Sequence, residues 1–318
     1  MSRARLRRQI PDAGAEALAL IDPSRGVIES PIRGELFSAE RFRQHGRSLG
    51  EAQTARLKAP RSTAFFPRLH DNMKVLREAQ HYIGLQERIG HHVSPAGEWL
   101  LDNFHLVAAQ IKAVHDGPPR RYFRDLPVLV GDHLAGLPRV YGVAWAFVAH
   151  TDSAFNDDLL IEFLNAYQQT SELNLGELWA LPTTLRLVLI ENLRRLSERM
   201  AADKAARELA NLWCDGLERE ATGRAGGHAR MIDADAMFGL MQARRVGTVF
   251  ALQVMQRLHS DSGSRSAAGL RGRESVREAL ARALPDPASA QARQQAEEAA
   301  DNLSVSNAIG SLRMLGDA

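Results

Sequence analysis

Apolar residues recur at steps of three and four along most of this chain, the period of a helix with one buried face. The run Leu69, Met73, Leu76, Ala79, Tyr82 and Ile83 has that spacing, and so does Leu100, Phe104, Val107, Ile111 and Val114. The second run has a marked start and stop. Ser94 stands at the capping position, Pro95 at the first helical position, and Gly117-Pro118-Pro119 ends it. Gly90 and His91-His92 end the first run. Upstream, Ser38 can cap a helix reaching about Leu57, and Pro60 and Pro67 bracket a short break.

One segment departs from the amphipathic pattern. PRVYGVAWAFVAH, from Pro138 to His150, is apolar on all sides, which predicts a helix at the centre of a bundle. Asn156 then caps a helix with Asp157 and Asp158 in its first turn, where the dipole favours them. Leu159, Leu160, Phe163, Leu164 and Tyr167 form its apolar face. A long helical region follows from about Gly176 to Glu220, in which Pro182 either kinks the helix or starts a new one.

Glycines at 223, 226 and 227 mark a loop from Ala221 to Arg230, after which Asp233 or Asp235 caps a helix through Leu258. Ser260 to Gly272, with DSGSRSAAGLRG, reads as a flexible linker, and two short helices flank Pro285 and Pro287. Alternation of the strand type is almost absent. The expected fold is all-α: a multi-helix bundle around a largely apolar central helix, with a flexible linker to a short helical C-terminal appendage. The expected segments are a tail at 1–30, a main helical domain at 31–259, the linker at 260–272 and the appendage at 273–318.

Composition adds little to this picture, and mostly by exclusion. The chain is 45% hydrophobic and 25% charged, as globular domains are. A net charge of +2 gives no global attraction to nucleic acid, and basic residues are not interleaved with aromatics, so no nucleic-acid partner is expected. Arg3, Arg5, Arg7 and Arg8 read as a solvated tail, with contact to anionic lipid as the alternative. The single cysteine, Cys214, rules out an intrachain disulfide and a cysteine-rich zinc site. With no secretory signal and no run of about 18 apolar residues, the chain reads as soluble.

Aromatic and ionisable groups concentrate between 94 and 196, beyond what a core requires. Glu98, Asp102 and His105 project opposite the apolar stripe of their helix, where two carboxylates beside an imidazole suit acid–base work or a solvated face. His150 and Asp152 stand where the apolar helix emerges, and Glu177 and Trp179 start another helix that continues to Arg186. Trp179 beside carboxylates and Arg186 has the composition of a carbohydrate or phosphate pocket, because indoles stack on sugars and guanidinium groups grip anions, while Trp145 and Trp179 read equally as plain core. The candidate ligand-binding set is therefore Trp99, Asp102, His105, His150, Asp152, Glu177, Trp179 and Arg186. His150–Asp152 is expected to face Glu177–Trp179, with Arg186 or Arg139 pairing the Asp152 carboxylate. Glu191 stands at ordinary helix-pair spacing from Arg194 and Arg195.

No catalytic residue and no metal ligand is assigned. Asp233-Ala234-Asp235 is the D-x-D pair that holds a divalent metal in sugar-nucleotide transferases, but helix capping explains both carboxylates and no βαβ pattern surrounds them. His81, His91 and His92 lack the spacing of a metal site. No phosphate-binding glycine loop, dinucleotide fingerprint or nucleophile elbow is present.

The stretches SPAGEWLLDNFHLV, RYFRDLP, PRVYGVAWAFVAHTDSAFN, GELWALPTTLRLVLIENLRRL and NLSVSNAIGSLR carry a resemblance. Through them the chain resembles the N-terminal region of the bacterial cyclic β-1,2-glucan synthases, from about Gly34 onward and most densely over 94–200. The resemblance implies a cytosol-facing helical module of a large enzyme of the inner membrane. In that family a glucosyltransferase part uses UDP-glucose and a divalent cation, a phosphorylase-like part trims the chain, and the cyclic product reaches the periplasm. None of those catalytic residues maps onto this sequence. The module is expected to be a non-catalytic fragment without a cofactor of its own, partnered by the membrane and transferase parts of the same polypeptide, and by glucan if it binds sugar. The alternative is a sugar-binding or enzymatic site in its own right.

Overall fold

The computed structural model describes residues 12–57, 65–117, 120–131, 134–221, 234–260 and 267–317. It is 78% helical, with twelve helices among the described residues, so the fold is all-α. The helices are α1 (Asp12–Ile21), α2 (Ala39–Ala52), α3 (Phe65–Arg88), α4 (Pro95–Asp116), α5 (Arg120–Arg124), α6 (Arg139–His150), α7 (Asp157–Gln168), α8 (Leu175–Ala221), α9 (Ala234–Ala243), α10 (Gly247–Ser260), α11 (Ala267–Ala283) and α12 (Pro287–Asp317). The described strands are β1 (Ala55–Arg56) and β2 (Val128–Leu129), an antiparallel pair with Ala55 opposite Leu129.

The chain divides into two compact units. One comprises Ser30–Gly84, Ser94–Ser197 and Ala300–Ala318; the other comprises Met1–Glu29, Leu85–Val93 and Glu198–Ala299. In the first, α6 is the core helix: nine of its twelve residues are buried, from Val140 to Ala149 with Trp145 excepted. The caps fall where the sequence places them. Ser38 accepts from Arg41 N–H, Ser94 from Gly97 N–H and Asn156 from Leu159 N–H. Helix α2 ends at Ala52, short of Leu57, because Ala55 and Arg56 turn outward to pair with β2. Gly46 lets α2 lie directly on α7, since a Cβ there would come within 2.7 Å of the Phe163 carbonyl oxygen.

Pro182 lies inside α8, which runs unbroken for 47 residues. Its start is a capping box. The Asn174 side chain accepts from Glu177 N–H at 2.9 Å, and the Glu177 carboxylate accepts from Asn174 N–H at 3.0 Å.

In the other unit, Trp213, Phe238 and Phe250 form the aromatic centre, with ring centroids 5.2 to 6.3 Å apart. The single helix expected from Asp235 to Leu258 is two. Helix α9 stops in a Schellman turn: Val246 N–H donates to Met241 O, Arg245 N–H to Gln242 O, and Arg245 takes φ 62°. The buried Arg244 draws the chain aside, donating to Glu198 at 3.0 Å and to the Gly26 carbonyl. Helix α11 begins at Ala267, inside the stretch expected as linker, and the pair flanking Pro285 and Pro287 is 17 and 31 residues long rather than short. The basic tail, the glycine loop at 222–230 and Asp233 lie outside the described residues.

Candidate functional site

Three buried clusters of ionisable groups occupy the unit built on α6. At the start of α6, Arg139 grips the fully buried Glu177 through both carboxylate oxygens, Nε to Oε1 at 2.8 Å and Nη2 to Oε2 at 2.5 Å. The same guanidinium donates to Ser171 Oγ at 2.9 Å and to the Glu172 carbonyl at 2.8 Å. This bidentate pairing ties the start of α6 to the start of α8.

At the other end of α6 the backbone turns through two left-handed non-glycine residues, Asp152 (φ 49°) and Ser153 (φ 65°). Ser153 N–H closes the helix end on Val148 O at 3.0 Å. The Asp152 carboxylate accepts from Arg33 Nε at 3.2 Å and from the Ser304 hydroxyl. Arg33 also reaches Asp301 at 3.2 Å and Ser304 Oγ at 2.5 Å. Asn307 donates to the Asp152 carbonyl at 3.1 Å, and Ser311 donates to the Ser153 carbonyl at 2.6 Å. From α8, Asn192 donates to Ser153 Oγ at 2.8 Å and accepts from Ile32 N–H at 2.6 Å. The turn thus binds three separate parts of the chain: the segment around Arg33, the middle of α8 and the end of α12.

Along α8, Glu191 is 1% exposed and accepts from Arg68 at 2.8 and 2.5 Å, from Arg195 at 2.8 Å and from the Tyr141 hydroxyl. Burial pushes the Glu191 carboxyl up, but the hydrogen bonds and charge of Arg68, helped by Tyr141 and Arg195, outweigh it and hold the carboxyl at about 2. Burial and the Glu191 charge push the Tyr141 phenol well above its ordinary value. The Arg195 guanidinium lies 4.9 Å from the centre of the Trp145 ring, a cation–π contact. The Glu191–Arg195 spacing is thus a buried pair and not a surface one.

The candidate residues do not converge. Helix α6 has twelve residues, so its ends stand about 17 Å apart at 1.5 Å per residue. His150–Asp152 is at one end and the Glu177 pairing at the other, so the expected facing of the two is corrected. The expected partner of Asp152 is corrected as well: Arg33 pairs it, while Arg139 is spent on Glu177 and Arg186 donates to the Leu315 carbonyl, capping the last turn of α12. Trp99, Asp102 and His105 stand on an exposed face of α4, where His105 Nδ1 lies 3.1 Å from the Asp102 carbonyl. Trp179 is 74% exposed. His150 is half-buried, with Nδ1 2.7 Å from the Glu35 carbonyl oxygen.

The sequence reading missed Arg33, Arg68, Asn192, Ser304 and Asn307, whose partners lie more than a hundred residues away in the chain except for Asn192–Ser153. Ser304 and Asn307 do stand in the quoted stretch NLSVSNAIGSLR, and Asp152 in PRVYGVAWAFVAHTDSAFN. Asp152, Glu177 and Glu191 are buried and each is bound by an arginine, which makes them anchors between elements. Among the described residues no group of three or more His, Cys, Asp or Glu side chains could hold a metal ion, and Asp235 is an exposed partner of Arg282 at 2.5 Å. No helix among them is long and apolar enough to cross a membrane.

No family model matches the chain. It is 32% identical, over 286 residues and 90% of its own length, to the cyclic beta-(1,2)-glucan synthase NdvB of Rhizobium meliloti (strain 1021). The chain spans about a tenth of the length of that relative. The resemblance read from the sequence therefore has a counterpart that extends over nearly the whole chain.

Proposed function

We propose that the chain is a helical module of a cyclic β-1,2-glucan synthase and serves assembly, acceptor positioning or regulation in it rather than catalysis. The observation that carries this is the 32% identity over 90% of the chain to a synthase ten times its length. The non-catalytic role is supported by chemistry: Glu177, Asp152 and Glu191 are each bound to arginine inside a packed unit. Glucosyl transfer from UDP-glucose with a divalent cation belongs, in this proposal, to a transferase part of the same polypeptide. The module then works at the cytoplasmic face of the inner membrane, with the transferase and membrane parts as its partners.

Two measurements test the proposal. The isolated chain, incubated with labelled UDP-glucose and Mg²⁺ or Mn²⁺, should form no glucan and no free glucose. Metal-dependent turnover abolished by Asp233→Ala would overturn the non-catalytic role. Deleting the matching region from the relative should abolish cyclic glucan production, and unchanged production would remove any role in the enzyme.

A second proposal is that the chain binds glucan directly. Trp99 and Trp179, exposed by 46% and 74%, support it, because an indole face open to solvent can stack on a sugar ring. Calorimetric titration with β-1,2-glucan oligosaccharides tests it, with loss of binding expected on Trp179→Ala.

A further inference from the structure

His45 on α2 and His150 at the end of α6 lie against each other, with ring centroids 4.8 Å apart. Phe37 lies flat on His150 at 3.8 Å and edge-on to His45 at 5.3 Å, and Phe163 lies alongside His45 at 6.0 Å. Phe42 is within 5.8 Å of Phe37, Phe147 and Phe163, so the two imidazoles share an aromatic cage. Their hydrogen bonding differs. His150 Nδ1 lies 2.7 Å from the Glu35 carbonyl oxygen and so carries a proton there. His45 Nε2 is buried and has no hydrogen-bond partner. A second proton on His45 would place an N–H with no acceptor beside another imidazole. Burial first, and then the charge of His150, accordingly lower the His45 pKa.

The same two rings hold a length of chain. Gly34 N–H donates to Ala149 O at 2.8 Å, and Phe37 N–H donates to His150 O at 3.3 Å. A Cβ on Gly34 would come within 2.8 Å of the His150 ring, so glycine lets the backbone rest on the imidazole. Ile32 and Arg33, just before, carry the bonds to Asn192 and Asp152.

We propose that His45, seated against His150, is a pH-sensitive latch on the segment 30–37: its neutral ring holds the segment closed on α6, and its protonation opens it. The other charged groups facing the pair are already paired. Glu35 and Arg41 bond each other, and Arg41 lies 5.3 Å from the Phe37 ring centre. Arg33 is held by Asp152 and Asp301. On α7, Glu162 pairs with Arg43 at 3.4 Å. None of them bonds His45 Nε2. The direction follows from the depressed His45 value: the closed form binds fewer protons than the open form, so the latch is shut above a pH of about 6.5 and loosens as pH falls below it. Opening takes Arg33 from Asp152 and Asp301.

Hydrogen exchange tests this in the whole chain, through the protection of the Gly34 and Phe37 amides relative to Val188 in α8, at pH 7.5 and 5.5. The relative protection of both amides should fall at the lower pH, by at most about tenfold, the bound for one histidine that titrates at its ordinary 6.5 only in the open form and is read one unit below that value. His45→Leu, and separately His45→Phe, keep the apolar contacts and should make the protection pH-independent. Unchanged protection in the unmodified chain overturns the proposal, as does pH-dependent loss that persists in either variant that circular dichroism shows to be folded.

Discussion

Asp152 and Arg33 meet at 3.2 Å across 119 residues of sequence, and they do so at a backbone turn that a side chain normally avoids. A left-handed non-glycine residue costs about 1–2 kcal/mol. Here the carboxylate that sits in that conformation is the group that binds Arg33 and Ser304, so the turn and the ion pair hold each other in place.

Replacing Asp152 tests that coupling. Asp152→Ala should lower stability by about 2–3 kcal/mol, because it strands a half-buried guanidinium and keeps the backbone strain. Arg33 retains Asp301, which keeps the loss below that of a fully orphaned charge. Asp152→Asn keeps an amide oxygen and tolerates the left-handed region, so it should lose less than Ala. Urea midpoints at pH 7 check the order; an Ala variant as stable as the unmodified chain would show that the turn bears no load.

What the sequence made legible divides along the range of the interaction. Ser38, Ser94 and Asn156 are caps in both readings, because a cap bonds a backbone N–H three residues away and needs only local sequence. Gly90 marks a helix end in both, since its φ of 78° is what glycine permits. Arg245 ends a helix by the same geometry without glycine, so nothing local announced it; the end of the apolar helix before Asp152 was legible, but its left-handed turn was not. Glu191–Arg195 was visible as a spacing, but its burial depends on Arg68 and Tyr141, 123 and 50 residues away. The central helix was legible because being apolar on every side needs no partner to interpret. The partners of its two ends were not, because each lies on another element.

Helix ends give a paired prediction. Arg245 is exposed at a φ of 62°, so Arg245→Gly should stabilise the unit around Trp213 by about 0.5–1 kcal/mol. Gly90→Ala, at a φ of 78° with open space around it, should destabilise by about 1 kcal/mol from backbone strain alone. Thermal melts of the two variants should shift in opposite directions.

Glu191 sets a window of acid sensitivity. Its carboxyl is held at about 2 in the folded chain against an ordinary 4.5, so the folded state binds fewer protons between those values. Its contribution to stability is complete above about 4.5 and is lost as pH falls towards 2. At 1.36 kcal/mol per unit this amounts to about 3 kcal/mol. Urea midpoints between pH 2 and 6 should rise with pH in the unmodified chain, and Glu191→Gln should flatten that rise while lowering the plateau. Equal slopes in the two proteins would place the acid sensitivity elsewhere.

Trp179 separates the two proposed roles. The residue is 74% exposed, so Trp179→Ala should change stability by less than about 0.5 kcal/mol. Trp145 is the control: it carries the Arg195 guanidinium at 4.9 Å and lies beside Tyr141 at 6.2 Å, so Trp145→Ala should cost about 2–4 kcal/mol through lost packing and cation–π contact. If the chain binds glucan, Trp179→Ala abolishes the calorimetric signal while the melting temperature stays put, and Trp145→Ala lowers the melting temperature while leaving binding intact in the cold. If it works as an assembly module, oligosaccharide gives no heat with any of the three proteins. The exposed indole is then free for a protein partner, and Trp179→Ala should weaken capture of the separately expressed remainder of the synthase. Unaltered sugar binding and unaltered capture in the same variant would remove Trp179 from both roles.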